Sequence, residues 1–421
     1  MRVLVISNSE WDDSASFGNT FTNLFAGVED LCLANVFCRE GTPDTKTCSR
    51  FLKISERTIL KGEPAVAVSA ERKVEQGASG ATSFFKKHRW TIFFWARELI
   101  WATNRWKCKA LDDFVRDFAP DLILLMIYPY SYINKLALYI SKMFNVPMVT
   151  HVSDDDYSLR QRSWSPLYWL NRLYQRKWIK RAVENSRALY CMTEMQMEEY
   201  GRYFTTPCKL LVKGVDTGSE PAPRVSESVK RFFYAGNLGD GRWKSLLSVA
   251  RALSGLNRDG VVATLDIFTP TPLSEGAKRA FSACRGTTLS GKIPYGEVCR
   301  RQESSDVLVH VESFVKKYAL RVRHSFSTKI VDYLARRRCV LAVGPSFVAS
   351  MDYLMRKDCA VTATSEAEIS ARLNDLISRP GMIEEYADKG YECGKRDFDL
   401  SKIRKAFIDD LGRVIDESSA N

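Results

Sequence analysis

A chain of 421 residues is too long for a single hydrophobic core, and its length argues for roughly two to three domains. With 45% hydrophobic and 27% charged residues, it is neither a disordered nor a fibrous sequence. A formal net charge of +12 asks for an acidic partner (nucleic acid, anionic lipid or a phosphorylated ligand), and charge alone does not choose among them.

Residues 1–6 (MRVLVI) end in four consecutive apolar side chains and run at once into a polar loop. They lack the long apolar run and cleavage site of a signal peptide, so they predict a buried parallel strand. Residues 14–20 (SASFGNT) form a loop that leads into a helix, with Gly18 inside it. Residues 83–109 interleave Phe84, Phe85, Trp90, Trp101 and Trp106 with Lys and Arg. No run of about 18 uncharged apolar residues exists, so this segment is expected to lie on a membrane surface rather than cross it. Strands follow at 121–127, 147–151 and 188–192, with helical spacing at 132–144, and residues 164–187 repeat the basic, aromatic theme.

Near residue 215 the character changes. Residues 216–229 (DTGSEPAPRVSESV) have two prolines and few large apolar side chains, and predict a linker that could act as a hinge. Beyond it, strands at 231–235, 263–268, 306–311 and 340–343 alternate with helices at 244–256 and 328–336. Residues 401–418 form one amphipathic helix, expected to return to the first domain. The fold class is therefore α/β, with two doubly wound halves at 1–215 and 230–400 and a closing segment at 401–421. Eleven cysteines contain no CxxC pair, and His88, His151, His310 and His324 show no ligand spacing. These features predict no zinc site, no disulfide framework and a reducing cytoplasm.

Two stretches of the second half suit phosphate chemistry. In residues 232–246 (FFYAGNLGDGRWKSL) a strand ends at a Gly-rich turn that opens a helix. Gly236 lets the backbone approach an anion, the helix start offers N–H groups and a positive dipole end, and Arg242 and Lys244 add charge beside Asn237. In residues 323–335 (RHSFSTKIVDYLA), Ser325, Ser327 and Thr328 stand at a helix start, with Lys329 and Asp332 on its opening turns. An N-cap explains one hydroxyl. Three hydroxyls, a lysine and a carboxylate together suit a diphosphate and a ribose.

In this order, the two stretches resemble the C-terminal half of GT-B glycosyltransferases, in particular the retaining family four (glycosyl transferases group 1). The resemblance implies two Rossmann-like domains facing across a cleft, with the donor nucleotide sugar on the second. In that family a Gly turn with a nearby Arg and Lys holds the donor diphosphate, and an E-x7-E motif holds sugar and ribose. Asp332-Tyr-Leu-Ala aligns with the second acid of that motif; the first is absent, because His324 stands eight positions earlier. Glu312 is the candidate stand-in for it, and Arg242 for an Arg that Asn237 displaces. The S-T-K-x-x-D-Y-L-A form is similar to a subgroup in bacterial surface-polysaccharide synthesis.

The resemblance further implies an acceptor site on the first half. It makes Gly18 a candidate donor contact and His151 a contact to the transferred sugar. It makes Asp154 and Asp155 acceptor-binding groups or a base rather than metal ligands, with neither metal nor cofactor required. The expected activity is metal-independent transfer of a sugar from a nucleotide-diphosphate-sugar to a glycan or lipid-linked acceptor, with retention, in polysaccharide or glycoconjugate synthesis. The expected location is the cytoplasm, on the inner face of the membrane through residues 83–109. A non-hydrolysing sugar-nucleotide 2-epimerase and a degenerate nucleotide-sugar-binding protein are the alternatives. No nucleic-acid-binding signature accompanies the charge.

Overall fold

Short apolar runs, buried on both faces, build the two sheets of the computed structural model, which describes residues 1–13, 16–61, 66–68, 91–216, 218, 221 and 228–420. The chain divides into two units, Met1–Val212 with Lys402–Asn421, and Lys213–Ser401. Most of the expected linker at 216–229 lies outside the described residues.

The first unit contains β1 (Arg2–Ser7), β2 (Cys32–Phe37), β3 (Arg50–Lys53), β4 (Val66–Val68), β5 (Leu122–Met126), β6 (Met148–Val152), β7 (Leu189–Cys191) and β8 (Cys208–Leu210). Their order in the sheet is β4-β3-β2-β1-β5-β6-β7-β8. All pairings are parallel except that of β3 with β4. Alternation along β1 and β5 sends Leu4, Ile6, Ile123 and Leu125 to one core and Val3, Val5, Leu122 and Leu124 to another. Helices Ser131–Phe144 and Pro166–Glu184 close the first face. Helices Ser16–Phe25 and Leu400–Ser419 close the second, the latter through Phe407, Leu411 and Val414. Asp410 fixes this last helix by accepting from Tyr190 Oη at 2.5 Å and pairing with Lys209 Nζ at 2.6 Å.

The second unit is an all-parallel sheet of β9 (Lys230–Ala235), β10 (Ala263–Phe268), β11 (Thr287–Ser290), β12 (Val307–Val311), β13 (Cys339–Val343) and β14 (Val361–Ala363). Its order is β11-β10-β9-β12-β13-β14. In both units the order reverses beside the first strand, at β1/β5 and at β9/β12. Open α/β sheets bind ligands at that reversal, outside the carboxyl ends of the strands.

The segment expected at a membrane surface is corrected in part. Helix Thr91–Ala102 delivers Trp101 to the core, where it stacks on Tyr132 at 4.3 Å and donates from Nε1 to Glu56 Oε1 at 3.0 Å. Trp106 is buried as well, donating to the Trp101 carbonyl at 3.1 Å. Neither ring is exposed to reach lipid. Phe84, Phe85 and Trp90 lie outside the described residues. No helix of the described residues is long and apolar enough to cross a membrane.

Trp101→Ala is therefore expected to destabilise the first unit by about 3–5 kcal/mol, the cost of emptying a large buried site. Thermal or denaturant unfolding measures it; an interfacial anchor would leave the stability unchanged.

Candidate functional site

At the β9/β12 reversal four side chains converge. Strand β9 ends at Ala235, and Gly236 follows with φ +155. A Cβ on Gly236 would stand 1.7 Å from Lys329 Nζ, so only glycine admits the ammonium at this point. Lys329 comes from the first turn of helix Thr328–Ala335 and lies over the Tyr234 ring at 5.2 Å. Among the described residues no carboxylate pairs with it. Burial and the nearby Arg242 pull its pKa from 10.5 down to about 8.

Arg242 opens helix Arg242–Leu256 and donates from Nε to Glu312 Oε2 at 2.9 Å. Its terminal nitrogens bond no described residue. Glu312, at the carboxyl end of β12, is 5% exposed, and burial raises its pKa against the lowering pull of Arg242. The carboxylate thus orients the guanidinium by its inner nitrogen and leaves the outer fork open, the geometry that grips phosphate oxygens in pairs. His310, on the same side of β12 by strand alternation, puts Nε2 3.7 Å from Glu312 Oε1. That nitrogen is buried without a hydrogen-bond partner. Burial, helped by Lys329 and Arg242, holds its pKa down at about 3, so the ring is neutral and its approach to Glu312 is no ion pair.

Other expected donor residues divide. Asn237 serves the loop: its Oδ1 accepts from Gly239 N at 2.6 Å and Thr271 Oγ1 at 2.9 Å. The N–H groups of Arg242, Trp243 and Lys244 return to the carbonyls of Gly239, Leu238 and Gly241. The expectation that this helix start offers them to an anion is therefore corrected. Gly241, left-handed at φ +80, makes that tight return possible, and its missing Cβ leaves room for Ser313 Oγ. Lys244 is exposed and turns toward Trp243 rather than toward Lys329. The start of helix Thr328–Ala335 is different. Ser327 occupies its N-cap without a side-chain cap bond, and Ser325, Ser327 and Thr328 are all half-buried there. Asp332, one turn further on, is held through Oδ1 by the buried Lys213 at 2.8 Å.

In the first unit His151 sits near the carboxyl end of β6, 2% exposed, with both ring nitrogens unpartnered. Burial alone lowers its pKa to about 3, so it is neutral, and Phe21 meets it edge-on at 5.2 Å. The Asp154–Asp156 run splits. Asp154 is exposed. Asp155 is 1% exposed, accepting from Ser158 N at 2.9 Å and facing Arg172 at 3.8 Å. The expectation that Asp155 serves as base or acceptor contact is corrected, because the fold consumes its carboxylate. Burial and Asp154 raise the Asp156 pKa well above the usual carboxylate range. No group of three or more His, Cys, Asp or Glu among the described residues is placed to hold a metal ion. Gly18 lies in the first turn of helix Ser16–Phe25, where a Cβ would stand 1.9 Å from the Asp12 carbonyl oxygen. That contact alone requires glycine.

His310, Tyr234 and Lys213 were not singled out for this site from the sequence. Period-two alternation in V-L-V-H-V-E would have placed His310 beside Glu312; nothing local marks Lys213, which meets Asp332 only in the fold.

The sequence matches no protein-family model and no curated protein. Solved structures match its fold over almost the full length. Sucrose-phosphate synthase from Thermosynechococcus elongatus has a TM-score of 0.64 at 12% identity, covering 99% of each chain. An E. coli trehalose-6-phosphate structure bound with UDP-2-fluoro glucose gives 0.63 at 10%, covering 98% of this chain and 99% of that one. Anabaena HepE in complex with UDP and glucose gives 0.62 at 11%, covering 98% and 100%. The chain thus has the two-domain, Rossmann-like GT-B fold.

Lys329 generates a pH prediction. Its ammonium is charged below about pH 8 and loses its proton above, so the affinity for a nucleoside diphosphate should fall as pH rises from about 7 to about 9.5. Calorimetry in two buffers of different ionisation enthalpy should show proton uptake on binding near pH 8.5, and Lys329→Ala should abolish both effects. Gly236→Ala, by displacing the ammonium, should weaken binding roughly tenfold or more while leaving the melting temperature of the free protein within a few degrees.

Proposed function

We propose that the chain is a glycosyltransferase that takes a nucleoside-diphosphate sugar on its second unit and passes the sugar to an acceptor bound on its first. One observation carries this reading. A half-buried ammonium (Lys329) with no carboxylate partner among the described residues and a guanidinium fork oriented by Glu312 (Arg242) meet at the strand-order reversal of a parallel sheet. Two cations there match a diphosphate, and the uncapped start of helix Thr328–Ala335 adds a favourable dipole end. The expected roles of Ser325, Ser327, Thr328 and Asp332 toward phosphate and ribose belong to the same reading.

In the transfer, the bond between the anomeric carbon and the diphosphate oxygen breaks with its electron pair leaving on the diphosphate. A new bond forms from an acceptor hydroxyl oxygen to that carbon. Arg242 and Lys329 stabilise the charge that grows on the departing oxygens, which is where preorganised cations act most strongly. In the retaining course the acceptor hydroxyl attacks from the face the diphosphate leaves, and its proton passes to the departing phosphate. His151, neutral and with both nitrogens unspent, is suited to a hydrogen bond with a sugar hydroxyl and not to charge stabilisation.

On the acceptor side, Arg39 and Arg97 both approach the Tyr130 ring, at 5.8 and 6.0 Å, near the carboxyl ends of β2 and β5. Glu56 takes up the Arg97 charge through Nε at 2.6 Å, so the exposed Arg39 is the guanidinium that favours an acceptor with an anionic group, such as a lipid-linked diphosphate used in polysaccharide or glycoconjugate synthesis on the cytoplasmic face of a membrane. UDP-sugars are the first donors to try, since the E. coli and Anabaena structures hold UDP-2-fluoro glucose and UDP with glucose.

The test is a thermal-shift panel of UDP-, GDP-, TDP- and CMP-sugars on the wild type and Lys329→Ala, followed by donor hydrolysis with the best ligand. A ligand that binds only the folded state raises the melting temperature by mass action. A shift for one nucleotide class, lost in Lys329→Ala and accompanied by slow donor hydrolysis, is the expected result. A shift with neither hydrolysis nor transfer would leave a nucleotide-sugar-binding protein, and no shift at all would overturn the donor site.

A further inference from the structure

Helix Pro166–Glu184 turns Arg172, Gln175, Ile179, Ala182 and Val183 into the first unit. Its opposite face is a single stripe. Leu167, Leu170 and Leu173 are 51%, 56% and 52% exposed, and Trp164, just before the helix, is fully exposed. Lys177, Lys180 and Arg181 continue the same stripe, all exposed. Positions three and four apart share a helix face, so the leucines occupy its first half and the cations its second.

The stripe is held rigidly. Ser165 caps the helix by accepting from Tyr168 N, and Trp169 Nε1 donates to the Ser163 carbonyl at 2.9 Å. On the inner side Arg172 donates to the carbonyls of Asp155 and Ser158, both at 2.8 Å.

We propose that this face docks on an anionic lipid bilayer, with Trp164 and the three leucines entering the interface and the basic side chains meeting the headgroups. Charge selects this occupant. From Tyr157 to Val183 there is no Asp or Glu; Arg160 and Arg162 precede the apolar patch and Lys177, Lys180 and Arg181 follow it. Against these five cations stand two acids, Glu184 paired with Lys180 and Glu199 paired with Arg160, each at 3.5 Å. A second copy of the chain would bring cations against cations in either parallel or antiparallel pairing. A bilayer with acidic headgroups meets both basic ends and takes the apolar centre. Leucine bodies with one tryptophan at the rim suit the headgroup level, and the exposed lysines can extend along it.

The inference deepens the transferase reading by naming the surface through which a lipid-linked acceptor would be reached, but vesicle binding requires no donor. The experiment is sedimentation of the full chain with vesicles of phosphatidylcholine alone and of phosphatidylcholine with one-third phosphatidylglycerol. The wild type should sediment with the acidic vesicles only, and salt should release it. A triple variant, Leu167→Gln with Leu170→Gln and Leu173→Gln, should lose roughly tenfold or more of that binding, as should Lys177→Glu with Lys180→Glu. Both variants alter only exposed side chains, so their melting temperatures and nucleotide shifts should match the wild type, which separates loss of docking from loss of the donor site. The proposal is overturned if the wild type stays in the supernatant with acidic vesicles, or if the leucine variant binds them as well as wild type does. It is equally overturned if the wild type forms a concentration-dependent dimer, or captures an acidic protein partner, that the leucine substitutions abolish without affecting vesicle binding.

Discussion

A parallel sheet whose strand order reverses beside its first strand leaves one place that no crossover helix can cover. The two crossovers depart in opposite directions, and the loops at the carboxyl ends of the flanking strands part there. In the second unit that place lies between β9 and β12. The turn after β9, the carboxyl end of β12 and the start of helix Thr328–Ala335 all deliver polar groups to it. Lys329, Arg242, Glu312 and His310 are separated in the sequence and are brought together by that constraint.

The electrostatics of this cradle favour an anion. Placing an ammonium under desolvation, beside a guanidinium and without its own counter-ion, costs stability, and the lowered pKa of Lys329 expresses that cost. Glu312 offsets part of the charge but is committed to Arg242. What remains is a net positive cluster whose cost a bound anion would relieve. The neutral His310 packs beside the pair without adding to the charge. The backbone contributes less than the Gly-rich turn suggests, because the first N–H groups of helix Arg242–Leu256 are spent on the turn itself.

The first unit shows the opposite use of polar groups. Asp155, Arg172 and Glu98 are buried, and each is consumed by the fold. Glu98 accepts from Ser131 N and Gln175 Nε2, tying helix Thr91–Ala102 to the two helices beside it. Asp155 and Arg172 fix the loop after β6 to helix Pro166–Glu184. His151 alone among the expected residues there is buried with both polar atoms unspent.

The sequence by itself determined the class of fold, because short apolar runs such as LVI and LILLM, alternating with longer amphipathic stretches, fit strands buried on both faces of a helix-covered sheet. It also pointed to the two strand–helix junctions proposed for phosphate, since the glycine, hydroxyls and basic residues there are local signals. Some strands with a polar interruption or little length escaped it. β2 contains Asn35, whose buried amide donates to the Val5 carbonyl and Ser7 Oγ of the neighbouring strand, and β14 has three residues. Only tertiary structure decided which charged and aromatic residues face inward. Asp154 and Asp155 are neighbours in sequence, yet one is exposed and the other spent in the core. Residues 83–109 and 164–187 share one basic, aromatic theme in the sequence, yet Trp101 and Trp106 are buried while Trp164, Leu167, Leu170 and Leu173 are not. A helical period shows that one face is apolar; which face meets the core depends on what the rest of the chain places against it.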